Sequence, residues 1–247
     1  MTIGSEGRTS PMASRRTRAE RQRIRRGGAP ADPARPTGRQ LAIAALIAIV
    51  GVVAFIVISG GGSSAPSSTL TPGVRQVGHV RGLDTAPVTI EEWADFQCPA
   101  CGTFARTTEP QLVATYVARG QVRIVYRHLA FLGPESQWAA EASECAEEQG
   151  RFWEFHDRLF ASQAGENRGA FSKANLKRIG EELGLDRSFA ACVDSDRYAQ
   201  RVRDETKAGQ DKGVRATPTL FVQDRKIEGA ATFEQLRAII DPLIAAR

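Results

Sequence analysis

The sequence predicts an α/β domain with a helical block set inside it, carried behind a single N-terminal membrane-spanning helix. Three observations lead there. An uncharged apolar run at 41–59 follows an arginine-rich leader. Short strand-like runs at 88–96, 122–126 and 219–223 stand on either side of a long helical stretch. Cys98-Pro99-Ala100-Cys101 falls where the first of those runs gives way to a helix.

The composition, 42% hydrophobic and 25% charged over 247 residues, is that of a chain able to build a core. Its net charge of +5 would suit a nucleic-acid partner if it were spread over the fold. It is not. Residues 1–39 hold ten arginines against Glu6, Glu20 and Asp32, a net of +7, so the remainder stands at −2. No nucleic-acid partner is therefore expected.

The run LAIAALIAIVGVVAFIVIS at 41–59 would reach about 28 Å as a helix at about 1.5 Å per residue, close to the hydrocarbon thickness of a bilayer. The arginines before it predict a cytoplasmic N-terminus and place everything after it outside. The expected organisation is a basic tail at 1–39, an anchor at 40–60, a Gly/Ser/Pro-rich linker at 61–73 and a folded domain at 74–247. A cleaved signal peptide is the rival reading, with Ser63-Ser64-Ala65 as its small-residue site. Its apolar region would usually be shorter, about 7–15 residues.

Within the domain, VTIEEWADF at 88–96 has strand composition. Residues 99–119 are expected to be helical, with Gly120 as the stop, and VRIVY at 122–126 to form a strand parallel to the first. Helices follow at 135–148, 151–162, 173–183, 187–193 and 197–212, making an insertion over about 134–212. Ser172 and Asp186 are placed as N-caps, and Gly150, Gly184 and Gly213 as stops. The strand pattern returns at 219–223, turns at Asp224 and Arg225, and pairs with 226–228. A last helix begins at Thr232, with Gln235 at capping-box spacing.

Two cysteines three residues apart on a first helical turn stand close enough for a disulfide after small adjustment. A sulfur at a helix N-terminus also meets unpaired N–H groups and the positive end of the dipole, which stabilise a thiolate. Pro99 fits there because its missing N–H is not needed. Cys98 is then the attacking sulfur and Cys101 the resolving one. Half of a zinc site is the alternative, but Cys145 and Cys192 lie too far apart in sequence to supply a second close pair, and no metal site is expected. His79, His128 and His156 are scattered and lack ligand spacing. Glu92, six residues before Cys98, shares a strand face with Ile90 and Ala94. If that face points inward, burial raises its pKa and it can shuttle the Cys101 proton; if outward, it is solvated. Thr217-Pro218 opens the returning strand, where a cis proline bond would turn the Thr217 backbone toward a neighbouring site.

The phrases APVTIEEWADFQCPAC, FLGPES, CAEEQGRFWEFHDRLF and GVRATPTLFV, in this order, resemble the DsbA-like branch of the thioredoxin superfamily over about residues 82–243. That resemblance implies a thioredoxin fold with an inserted helical subdomain, a cis bond at Pro218 and a buried acid at Glu92. It also implies that the insertion shapes a substrate groove. Strongly oxidising members carry His where this chain has Ala100, which removes a donor to the Cys98 thiolate and argues for a milder potential. In an oxidising compartment Cys145 and Cys192 are expected to form a structural disulfide; the alternative is two free buried thiols.

The expected function is extracytoplasmic thiol–disulfide exchange through Cys98, needing no cofactor. Its partners would be cysteine-containing secreted or membrane proteins and a membrane redox partner that resets the active site. A reductase or isomerase on the same fold, and a tethered chaperone that holds clients without turnover, are the alternatives.

Overall fold

A computed structural model of the chain describes residues 74–246. The basic leader, the 41–59 run and the linker expected before Val74 lie outside the described residues. Among the described residues no helix is long and apolar enough to cross a membrane.

The domain opens with a short hairpin, β1 (Gln76–Val77) and β2 (Val80–Arg81), followed by β3 (Val88–Ala94). After β3 come α1 (Pro99–Thr107) and α2 (Glu109–Leu112), which runs on as a π turn over Val113–Val117. Then come β4 (Val122–His128) and five helices: α3 (Pro134–Glu147), α4 (Phe152–Ala161), α5 (Lys173–Glu182), α6 (Arg187–Asp194) and α7 (Ala199–Asp211). The chain closes with β5 (Thr219–Val222), β6 (Arg225–Glu228) and α8 (Phe233–Ala245).

The six strands form one sheet in the order β1-β2-β4-β3-β5-β6. At its centre β3 runs parallel to β4 and antiparallel to β5. A parallel pair needs a crossover, which α1 and α2 supply. One face of β3 puts Val88, Ile90 and Ala94 into the main core, while on the other face Trp93 packs with Leu129 and Val214. Gly209 of α7 is required by that second contact, because a Cβ there would lie 2.6 Å from the Trp93 ring. This arrangement of sheet and helices, with the α3–α7 block inserted between β4 and β5, is the thioredoxin-type α/β fold that the resemblance implies.

Local signals in the sequence act where they stand. The Ser172 side chain accepts from the Asn175 N–H, and Asp186 from the Ser188 N–H. Thr232 and Gln235 close a reciprocal capping box at the start of α8. Gly184 and Gly213 follow α5 and α7 with φ of +76° and +84°, a region that costs other residues strain.

Two elements differ from the sequence reading. The helix expected over 99–119 breaks after Thr107, where the Thr108 hydroxyl donates to the Ala231 carbonyl at 3.0 Å and Pro110 lacks an N–H to continue the ladder. The hairpin of β1 and β2 was not expected, since strands of two residues are too short to show a period. It extends the sheet by pairing antiparallel with β4, Val80 opposite Val125 and Arg81 opposite Ile124.

Candidate active site

β3 ends at Ala94, and the loop Asp95-Phe96-Gln97 brings Cys98 to the N-cap of α1, in extended conformation (φ −67°, ψ 120°), with Pro99 as first helical residue. Asp95 fixes this loop. Its buried carboxylate accepts from the Gln97 N–H (2.8 Å), the Ser136 hydroxyl (2.7 Å) and the Phe131 and Leu132 N–H groups (3.0 and 3.2 Å). One side chain thereby binds the cysteine loop to the FLGPES segment at the entry to the insertion. Gln163, past the end of α4, holds the loop from the other side, its Nε2 donating to the Phe96 and Cys98 carbonyls at 2.8 and 2.9 Å. Gly102 is needed for that approach, because a Cβ there would lie 2.0 Å from Gln163 Oε1. Neither Asp95 nor Gln163 was singled out from sequence. Asp95 stood in the β3 phrase as an ordinary strand-end acid, and Gln163 carried no signal.

Cys98 and Cys101 are both free thiols and both buried, yet they are unlike. The Cys98 thiol is lowered to about 6. The Cys101 thiol beside it is the main cause, offset in part by burial and helped by Thr217 and by the Cys101 and Ala100 backbone N–H groups of the first helical turn. Cys101, wholly buried, is pushed well above its ordinary value by desolvation and by Cys98. The pair is therefore poised as one thiolate and one thiol.

The Thr217–Pro218 peptide bond is cis, and the Thr217 carbonyl lies 3.3 Å from the Cys98 sulfur. Beside Pro99, Gln97, Arg106, Phe160, Ala161, Gln163 and Gly165 line a cleft of about 320 Å³.

The register of β3 turns Glu92 inward: its side chain is wholly buried, and neither carboxylate oxygen has a hydrogen-bond partner. Burial raises its pKa well above the ordinary value, the Glu109 carboxylate raises it further, and Arg81 opposes. Arg81 of β2 is the buried cation of this region. It pairs with Glu109 at 2.9 Å and with Asp157 at 3.2 Å, and its guanidinium lies 4.1 Å from the Trp153 ring centre. None of these three ionic partners was marked by sequence, because their elements meet only in the fold.

Cys145 of α3 and Cys192 of α6 are joined in a disulfide across 47 positions. That leaves Cys98 and Cys101 as the free pair and removes the thiols a four-cysteine zinc site would need.

A family model described as thioredoxin matches residues 75–242. Disulfide bond formation protein D of Bacillus subtilis is 29% identical over 172 residues, covering 66% of this chain and 75% of that protein. The oxidised crystal structure of BdbD from the same organism superposes with a TM-score of 0.64 at 26% identity, covering 68% of this chain and 92% of that one. The Na(+)/H(+) antiporter NhaA 3 of Salinispora tropica is 41% identical over 165 residues, 66% of this chain but 24% of the antiporter. The chain thus spans about a quarter of that relative's length.

Proposed function

The chain belongs to the thioredoxin family as a DsbA-like thiol–disulfide oxidoreductase, and on that premise we propose that it introduces disulfides into cysteine-containing secreted or membrane proteins, outside the cytoplasm, tethered by residues 40–60. The observation that carries the reading is the contrast between Cys98, lowered to about 6 beside the Thr217 carbonyl, and Cys101, buried and raised.

In the oxidised enzyme the reactive bond is Cys98–Cys101. A substrate thiolate attacks the Cys98 sulfur, forming a mixed disulfide and expelling Cys101 as a thiolate. That buried thiolate takes up a proton, and Glu92, whose carboxyl holds its proton more tightly than usual because of burial, is the donor in this reading. A second substrate thiolate then attacks the substrate sulfur bound to Cys98. The substrate leaves with a new disulfide and Cys98 departs as a thiolate, a good leaving group because its pKa is low. Two electrons have passed to the enzyme, and a membrane redox partner must withdraw them to restore the Cys98–Cys101 bond. Thr217, ahead of cis-Pro218, offers its backbone for strand-like pairing with the substrate beside the sulfur.

The measurement that tests the direction is the reduction potential of the full chain in detergent, equilibrated with glutathione buffers, with Cys98→Ser as control. A value between about −120 and about −180 mV is expected for a disulfide donor. A value near about −270 mV would instead favour the reductase reading, to which Ala100 lends weight. A tethered chaperone would keep protecting clients in the Cys98→Ser variant. The antiporter match carries no transport activity to this chain, because most of that protein lies outside it.

A further inference from the structure

The cleft of about 320 Å³ opens against the cysteine loop itself: Gln97 and Pro99, on either side of Cys98 in the chain, line it, and Gln163 reaches from it to the Cys98 carbonyl. No residue of the cis-proline segment lines it, so it is separate from the backbone that Thr217 offers. Arg106 is its one charged lining residue. Two other clefts balance their charges. Between β6 and α8, Arg225 stands with Glu228; on the open face of the sheet, Arg123 and Arg127 stand with Glu91 and Asp224.

Arg106 belongs to the last turn of α1, yet its guanidinium lies one turn nearer Cys98. A Cβ at Gly102 would come within 2.7 Å of Arg106 Nη1 and 2.0 Å of Gln163 Oε1, so the missing side chain makes the bed in which both rest. Nη1 donates to the Phe160 carbonyl at 2.7 Å and to Gln163 Oε1 at 3.3 Å. Both acceptors are neutral. They fix the guanidinium without cancelling its charge, and among the described residues no carboxylate pairs with it, whereas Arg158 of α4 is paired with Glu182. A guanidinium held through one nitrogen keeps Nε and Nη2, an edge that takes a carboxylate side-on. An exposed ion pair gains little when two long side chains must be frozen to form it; here the cation is already held.

We propose that this cleft is a substrate subsite for an acidic side chain, anchored by Arg106. The inference rests on the disulfide-exchange reading above and names the substrate class within it: segments with Asp or Glu close to the reacting cysteine. Gly102, where the guanidinium lies, is four residues past Cys98, about 6 Å along the helix axis. An extended substrate covers that in about two residues. In the oxidised enzyme Cys98 carries no charge to repel the incoming carboxylate.

The test uses the full chain in detergent, oxidised at Cys98 and Cys101. Its substrates are one-cysteine peptides that differ at a single residue, Glu, Gln or Lys, two positions from the cysteine on either side. Acid quench and thiol labelling read the rate at which each peptide reduces the Cys98–Cys101 bond, expressed per peptide thiolate because a neighbouring Glu raises the cysteine pKa. At low ionic strength the Glu peptide should outrun the Gln peptide by about fivefold in at least one placement, the upper end for an exposed pair. The Lys peptide should fall below both, and the ratios should shrink as salt is added. Arg106→Gln should bring the Glu-to-Gln ratio close to one. Arg106→Glu should invert the preference toward Lys, an inversion that loss of packing would not produce. Arg106 is exposed, so these variants should fold, which circular dichroism checks. Arg106→Lys, which keeps the charge without the fork, should retain part of the preference. Equal rates for the Glu and Gln peptides, or a preference unchanged in Arg106→Gln, would overturn the proposal and leave disulfide exchange standing. No reaction with any peptide would overturn the exchange reading and this proposal with it.

Discussion

The Cys98 sulfur lies 3.3 Å from the carbonyl oxygen of Thr217, a residue 119 positions away in sequence. The contact puts the proposed nucleophile against the backbone segment that carries the cis-proline bond, so the proposed sulfur chemistry and substrate pairing share a single point.

The low Cys98 pKa sets a pH dependence. A group whose folded value is depressed stabilises the fold most above its unfolded value and loses that contribution as pH falls through the folded one. For the reduced enzyme the contribution is full above about 9 and is lost as pH falls through about 6. Reduction of the active site takes up two protons below that point and one above it. The potential should therefore change by about 59 mV per pH unit below about 6 and by about 30 mV above it. Equilibration in thiol buffers across pH 4.5–8 checks this, and a single slope throughout would show that Cys98 is not the low thiol.

Glu92→Gln should slow formation of the mixed disulfide, on the order of 10²-fold if Glu92 is the proton donor to the departing Cys101. A raised carboxyl means that the folded state binds the proton more tightly than the unfolded chain does. Wild-type stability should then fall as pH rises above about 4.3 toward the higher folded value. The Gln variant should lack that slope. Rapid-mixing kinetics and urea denaturation at several pH values read the two effects separately.

Arg81→Met removes the cation shared by Glu109 and Asp157 and should destabilise the domain by about 3–5 kcal/mol, because a buried carboxylate is left unpaired. Adding Glu109→Met should recover part of the loss. Denaturant titration of both variants decides; additive losses would mean that the pair does not couple.

Replacing Cys145 and Cys192 together with alanine opens a loop of 47 residues and should cost about 4 kcal/mol by the chain-entropy estimate. Urea midpoints of oxidised wild type and the double variant measure it. An unchanged midpoint would show that the insertion is held by its apolar contacts alone.

The order of elements, the caps at Ser172, Asp186 and Thr232, and the placing of Cys98 at a helix start were legible in the sequence because each rests on interactions within a few residues. A strand that must alternate, a helix that must be capped and a proline that cannot donate all leave local marks. The inward register of Glu92 was not legible, since alternation shows two faces without saying which meets the core. The β1–β2 hairpin left too short a pattern to read. Arg81 with Glu109 and Asp157, Gln163 against the Cys98 carbonyl, and Arg106 against the Phe160 carbonyl are contacts between elements far apart in the chain. Sequence alone thus determined most of the elements and marked the proposed reactive pair. The tertiary structure decided which charges are buried together, because long-range packing, and the desolvation that comes with it, exists only once the sheet and the insertion have closed on each other.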